Sequence, residues 1–265
     1  MVLNKNSTLM EVTMHYHAIR ARFRRTLLIV AAVLLYPAGT LLAQVQNPAV
    51  VPPQQVVEGM TYGQWSAAWW QWMLALPFGN QLPNPTFYAT GQSCAAGQSG
   101  PVWFLAEPAY GTPDVGVIEQ CKVPAGRYLM VPLLSAECSS LETAPKLLPS
   151  PCTDDASCRV CAKSLADSVL PHSLHASVDG ISVTGLQERA SLFRMQSPLF
   201  YFSVPQRNWF ADSGAASTGT GYSVSDGYWL IIRPLSPGLH TVHVEAVAMP
   251  GFLEDVTYQL SVEGP

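Results

Sequence analysis

Four tryptophans lie within one short segment, at the spacing of an α-helix. At 100° per residue, residues 62–76 place one aromatic stripe on a single side of that helix, and the stripe consists of Tyr62, Trp65, Trp69 and Trp72. We expect this stripe to be core. Trp70 falls outside the stripe. Together with Trp229 it is our candidate for binding a ligand, because an indole face packs well on the C–H surface of a sugar or another apolar group. The alternative, that all four helix tryptophans are core, stays open.

Two His-x-x-His pairs have a spacing that suggests metal binding. His240 and His243 lie in a predicted strand, where their side chains point to opposite faces, so the two rings cannot hold one ion. The segment 158–175 contains a Cys-x-x-Cys and a His-x-x-His pair, but its spacings are shorter than those of zinc fingers. The thiols of an exported chain also tend to be oxidised. We therefore predict no metal site and no cofactor.

The six cysteines predict disulfides instead. Cys94 and Cys121 flank a predicted short strand, which suggests one pair. The other four lie between residues 138 and 161 and allow three pairings, among which spacing alone does not decide. The pairing we favour is Cys138–Cys161 with Cys152–Cys158.

The sequence contains none of the familiar catalytic motifs: no Gly-x-Ser-x-Gly elbow, phosphate loop, dinucleotide fingerprint or His-Glu-x-x-His. We interpret the adjacent acids Asp154-Asp155 and Glu254-Asp255 as solvated turns, because neighbouring side chains of an extended chain point apart. A glycosidase would need two carboxylates that the fold brings together. The candidates are Glu107, Glu119, Glu137 and Glu245, and nothing in the sequence singles out two of them. We therefore favour a function other than catalysis.

Residues 1–43 have the order of a secretory signal. Basic residues at 20–25 precede an apolar run at 26–36, and a small residue, Ala43, precedes Gln44. The apolar run is shorter than the roughly 20 residues that span a bilayer, so we predict no transmembrane span once the signal is removed. An uncleaved anchor is the alternative, and Met14 is an alternative start. We predict a secreted or periplasmic protein.

The charge distribution argues against a nucleic-acid partner. Five of the 14 basic residues and one of the 18 acidic residues lie in the first 43 positions, so the remainder of the chain is acidic and repels phosphate backbones. A glycan or another envelope component is a better partner for such a surface. The sequence predicts no oligomeric state.

Behind the signal, residues 44–57 form an uncharged, proline-rich segment that we interpret as an extended lead-in. Residues 58–265 follow as a single domain with a Cys-rich insertion at about 138–161. The tryptophan helix begins at Thr61, where Gln64 completes a capping box, and it ends before Pro77.

Short apolar runs separated by glycine and proline turns predict strands over most of the remaining chain, and Asp179-Gly180 predicts a two-residue hairpin. The fold class is mainly all-β: an antiparallel β-sandwich, jelly-roll or Ig-like, with the N-terminal tryptophan-rich helix. One or two further short helices are expected at 162–170 and 186–195. Residues 212–221 are expected to form a surface loop.

Three parts of the chain together resemble a family of uncharacterised secreted bacterial proteins. They are the tryptophan segment 62–72 (YGQWSAAWWQW), the segments 97–106 and 121–126, and the segments 226–230 and 235–241; the closing segment 255–262 also matches. The resemblance implies export and a compact β-rich domain, and it carries over no catalytic residues. The Cys-rich segment departs from the family pattern, which agrees with an insertion.

These features predict an exported binding or cell-envelope-associated module whose ligand is a glycan or another molecule with an apolar face. A secreted polysaccharide hydrolase or lyase is one alternative, favoured if acidic side chains converge in a cleft beside Trp70 or Trp229. A structural or protein-interaction domain is the other, favoured by a flat apolar patch without a cleft.

Overall fold

A computed structural model of the chain describes residues 47–79, 84–86, 91–107, 117–142, 149–210 and 219–264. The predicted signal segment at 1–43 lies outside the described residues, as does most of the predicted loop at 212–221. Strand residues 117–120 are described by their backbone alone, so the side chain of Glu119 is also outside.

Strands dominate the described part of the chain. Its helices are α1 (Tyr62–Ala75), α2 (Asp155–Ala166) and α3 (Ala190–Phe193), with a 3₁₀ turn at Pro171–Ser173. Its strands are β1 (Val102–Phe104), β2 (Val117–Pro124), β3 (Tyr128–Ser139), β4 (His175–Val178), β5 (Ile181–Ser182), β6 (Arg194–Gln196), β7 (Phe200–Val204), β8 (Gly219–Ile232), β9 (Gly238–Ala248) and β10 (Phe252–Glu263). None of the described helices is both long enough and apolar enough to cross a membrane.

The strands form two five-stranded mixed sheets. The first has the order β1-β3-β8, with β6 and β7 both pairing with β8, and the second has the order β2-β10-β9-β4-β5. β1 runs parallel to β3 and β2 runs parallel to β10, whereas the other pairs are antiparallel. The chain passes from β1 to β2 in the second sheet and then returns to the first sheet as β3. This crossover lets β3 run in the same direction as β1. The prediction of a mainly-β chain is confirmed, but the sheets are not purely antiparallel.

Alternate side chains of the first sheet face two different cores. On β8, Tyr228, Leu230 and Ile232 belong to a buried cluster that also contains residues of β9 and β10, so this core lies between the two sheets. Trp229 and Ile231 belong to a second cluster, which contains the aromatic stripe of α1. The period of two along each strand thus produces three layers: helix, sheet and sheet.

Helix α1 forms for local reasons. Gln64 N donates to Thr61 Oγ1 at 3.3 Å and Thr61 N donates to Gln64 Oε1 at 2.9 Å, which is the predicted capping box. The helix contains no β-branched residue and ends two residues before Pro77. All members of the predicted stripe are buried, as expected of core residues: Tyr62, Trp65, Trp69 and Trp72.

Three disulfides hold the loops to the sheets. Cys94–Cys121 ties the segment before β1 to β2, Cys138–Cys161 ties β3 to α2, and Cys152–Cys158 closes the start of α2. Disulfide bonding is confirmed, and the pairs are those that we favoured. Cys158 and Cys161 are therefore not available as zinc ligands.

The two minor helices begin or end differently from the sequence prediction. Asp154 is the N-cap of α2, because its carboxylate accepts from Ser157 N at 2.8 Å, so this helix starts earlier than the predicted 162–170. Asp154 is exposed, as predicted, but it caps a helix and is not part of a turn. Helix α3 ends at Phe193 because the next residues pair with β8 as β6.

Candidate functional site

A cavity of about 610 Å³ lies where α1, β3, the end of α2 and the turn between β9 and β10 meet. Its walls are largely apolar, and its aromatic wall residues are Trp69, Trp70, Trp209 and Phe252. Its polar wall residues are Thr86, Glu107, Ser135 and Ser168. A few polar groups in a mainly apolar concavity of this size are typical of small-molecule sites.

The indole N–H groups of the α1 stripe are all satisfied by backbone carbonyls. Trp65 Nε1 donates to Val57 O at 2.9 Å, Trp69 Nε1 to Leu105 O at 2.7 Å, and Trp72 Nε1 to Ala96 O at 2.8 Å. These bonds fix the helix on the first sheet. They leave Trp70, one residue after Trp69, directed elsewhere.

Trp70 lies in the cavity wall. Its ring packs edge-on against Trp69, with ring centroids 5.1 Å apart, and the residue is 6% exposed. Its buried Nε1 finds no hydrogen-bond partner among the described residues. Both apolar sides of α1 are therefore covered, and Trp70 is a buried residue that lines the cavity. Its proposed binding role stays a prediction that this position favours.

Trp229 occupies a different environment. It is 0% exposed and packs edge-on against Trp69, with ring centroids 5.4 Å apart, in the core between α1 and the first sheet. Its Nε1 and that of Trp103 also lack a partner among the described residues. A ligand cannot touch Trp229 in this structure, because none of its surface is accessible.

Glu107 follows β1 and supplies a carboxyl group to the cavity wall. Its Oε1 accepts from Ser135 N at 3.1 Å and its Oε2 accepts from Ser135 Oγ at 2.7 Å, so β3 fixes its orientation. Burial raises the pKa of Glu107 to about 7, and the two bonds from Ser135 oppose that rise. Near neutral pH this carboxyl can therefore act as a proton donor or acceptor.

Glu254 is a second acid close to Glu107. Only 3% of the residue is exposed, and its Oε1 has no hydrogen-bond partner in the described part of the chain. Burial, together with the negative charges of Glu107 and Asp255, raises its pKa to about 9. Glu254 therefore holds its proton at neutral pH.

The interpretation of Glu254-Asp255 as a solvated turn is wrong for Glu254. The residue lies in β10, opposite Ala246 of β9, and its side chain shares a face with the core residues Val256 and Tyr258. Strand alternation counted back from those two residues would have predicted an inward glutamate. Asp255, on the opposite face, lies 2.9 Å from His243 Nε2.

Tyr258 completes the acidic group behind the cavity. Its hydroxyl donates to Ala106 O at 2.8 Å, directly beside Glu107 in sequence. Burial raises its pKa well above the usual value, and the charges of Glu254 and Glu107 add to the rise. Among the described residues that line the cavity, none is lysine, arginine or histidine. Glu107 therefore faces an aromatic space without a basic side chain among the described wall residues.

The other acids proposed from the sequence lie elsewhere. Burial and the charge of Glu142 raise the pKa of Glu137, which accepts a hydrogen bond from Ser223 Oγ near the end of β3. Glu245 is half-buried on β9, on the face opposite the inward-facing Val244 and Ala246. Of the three candidates whose side chains are described, Glu107 is therefore the one placed in the cavity wall.

The histidine pairs do not assemble a metal site in the described part of the chain. His240 Nδ1 lies 2.8 Å from Asp179 Oδ2, while His243 contacts Asp255 on the neighbouring strand. No group of three or more metal-ligating side chains converges among the described residues.

No family model, curated protein or solved structure matches the chain. The resemblance to secreted bacterial proteins therefore stays a prediction.

Proposed function

We propose that the chain is an exported binding module whose ligand enters the cavity and lays an apolar face on Trp70. The observation that carries the proposal is the cavity itself, which combines an indole lacking a hydrogen-bond partner with the oriented carboxyl of Glu107. A glycan unit has the matching chemistry, because its C–H face can stack on an indole while its hydroxyls bond to Glu107 and Ser135.

The three disulfides support an oxidising compartment, the periplasm or the medium, in which such a module would meet glycans and other envelope components. The mixed sheets favour neither the jelly-roll nor the Ig-like type. The proposal therefore rests on the cavity and not on the fold class.

The test is a binding screen with the full chain, its disulfides intact, against neutral oligosaccharides and cell-envelope fractions. We expect Trp70→Phe to weaken retention at least fivefold on whichever fraction binds. Trp65→Phe is the matched control, because Trp65 lies on the same helix with 7% exposure but is bonded to Val57 outside the cavity wall. Equal effects of the two variants, or retention on none of the fractions, would refute the proposal.

A polysaccharide hydrolase is the second candidate, and the carboxyl of Glu107 in the cavity wall favours it. Its pKa of about 7 lets it donate or accept a proton near neutral pH, which is one of the two carboxyl roles in acid–base hydrolysis. This candidate predicts release of reducing ends by the full chain. It also predicts that the rate of this release falls at least 100-fold in Glu107→Gln but not in Glu245→Gln. Retention without turnover would favour the binding module.

A further inference from the structure

We propose that the cavity selects a ligand carrying an ammonium group, held between the aromatic wall and the carboxylate of Glu107. This inference rests on the proposed function, since it concerns the same cavity and adds the charge of its ligand. The ammonium can belong to an amino sugar or to a simple amine with an apolar body, and the experiment below separates these sources.

Another buried acid of the chain has a cationic partner of the kind that the cavity lacks among its described residues. Asp226 is buried, and its Oδ1 accepts from Arg194 Nε at 2.8 Å while its Oδ2 accepts from Gln196 Nε2 at 3.2 Å. Glu107 accepts from Ser135 N and Ser135 Oγ, which are both neutral, and no described residue of the cavity wall is basic. A buried carboxylate is costly unless it is paired, so a cation from outside the chain would complete the site.

The walls suit a cation as well as an apolar body. Trp69, Trp70 and Trp209 line the cavity, and the faces of indole rings attract ammonium groups. Cations are also drawn towards the site at long range, because the chain beyond residue 43 is acidic.

Binding of an ammonium ligand is expected to depend on pH in a defined direction. Among the described residues, the titratable group in the cavity wall is Glu107, with Glu254 and Tyr258 buried behind it and Asp255 on the outer face of β10, and no described wall residue is basic. An ammonium group favours ionised carboxylates, so binding releases protons and strengthens as the pH rises. Glu107 titrates first, since its pKa is about 7.

The experiment is calorimetric titration of the full chain with three disaccharides that share their ring geometry. They are the glucosamine disaccharide with free amino groups, its N-acetylated form, and cellobiose. We expect the free-amine sugar to bind at least tenfold more tightly than either neutral sugar at pH 7. Phenethylammonium is the fourth probe, and preferential binding of this probe identifies a simple amine as the source.

The pH profile is measured with phenethylammonium, whose amine stays protonated between pH 5.5 and 8. We expect affinity to rise at least fivefold over this range in the unmodified chain, and Glu107→Gln to remove most of that rise. Glu245→Gln, the same change on the outer face of β9, should leave it intact, and circular dichroism checks that both variants are folded.

Each result decides one of the two proposals. Equal affinity for charged and neutral sugars, with loss of both in Trp70→Phe, would overturn the ammonium inference and support the binding function. A pH profile unchanged by Glu107→Gln would also overturn the inference. Failure of all four probes to bind would overturn it outright, and the wider envelope screen would then decide the binding function alone.

Discussion

The buried carboxyl of Glu254 should make the fold less stable as the pH rises. Burial raises its pKa from 4.5 to about 9, so the folded state keeps a proton that the unfolded chain releases at lower pH. Stability from this group is complete below the unfolded value and is lost progressively up to the folded value. The loss is about 1.4 kcal/mol per pH unit, or about 3 kcal/mol between pH 5 and pH 7.

The measurement is urea denaturation of the full chain, with disulfides intact, at pH 5, 6, 7 and 8. Other buried acids contribute to the total slope, so the quantity of interest is the difference in the free energy of unfolding between the unmodified chain and Glu254→Gln. Glutamine keeps the side-chain shape but does not titrate. We expect this difference to change in favour of the variant by about 3 kcal/mol from pH 5 to pH 7.

Glu245→Gln is the control. Its free energy of unfolding should have the same pH dependence as that of the unmodified chain, because Glu245 is half-exposed. The same pH dependence in Glu254→Gln and the unmodified chain would refute the prediction, since Glu254 would then ionise in the folded state as it does in the unfolded chain. An ammonium ligand should reduce the total slope in the unmodified chain, because it stabilises the ionised carboxylate of Glu107 in the cavity wall.

Four further variants test the structure. Replacing both cysteines of Cys94–Cys121, which are separated by 27 residues, with serine should lower the free energy of unfolding by about 3.5 kcal/mol. The same replacement at Cys152–Cys158, separated by 6 residues, should lower it by about 2 kcal/mol. Chemical denaturation measures both values. Gly227→Ala should cost more than about 2 kcal/mol by the same measurement, because its Cβ would lie 2.6 Å from Cα of Ser135; it should also weaken ligand binding in calorimetry. Trp70→Ala should lower the free energy of unfolding by about 3 kcal/mol in the same measurement, because Trp70 is a buried side chain with 6% exposure. For that reason the binding test above uses phenylalanine at this position.

Features with local causes could be predicted from the sequence. The capping box of Thr61 and Gln64, the end of α1 before Pro77, and the hairpin at Asp179-Gly180 depend on residues within one or two turns of chain. The aromatic stripe follows from helical periodicity alone. These elements are found where the spacing places them, because few tertiary contacts compete with the local signal.

The cavity could not be predicted, because its parts come from distant segments. Glu107, Ser135, Phe252 and Trp70 meet only after β1 and β3 pair in parallel and the β9–β10 hairpin folds over the end of α2. Parallel pairing leaves no signal in a sequence read for hairpins. Glu254 was also obscured by its neighbour Asp255, since two adjacent acids beside a Met-Pro-Gly turn indicate solvent more readily than a strand.

The cavity bears on the alternative of a purely structural or protein-interaction domain. The cavity wall contains the carboxyl of Glu107, which no basic side chain of the described wall compensates, and the indole N–H of Trp70, which has no partner among the described residues; both lower stability. The same chain pairs Asp226 with Arg194, so it has the means to satisfy a buried acid where only the fold matters. A domain that served solely as a scaffold would gain nothing from placing such groups beside an open aromatic cavity. Local violations of the rules of folding are expected where a ligand supplies the missing partner, and this favours a binding or catalytic function over a structural one.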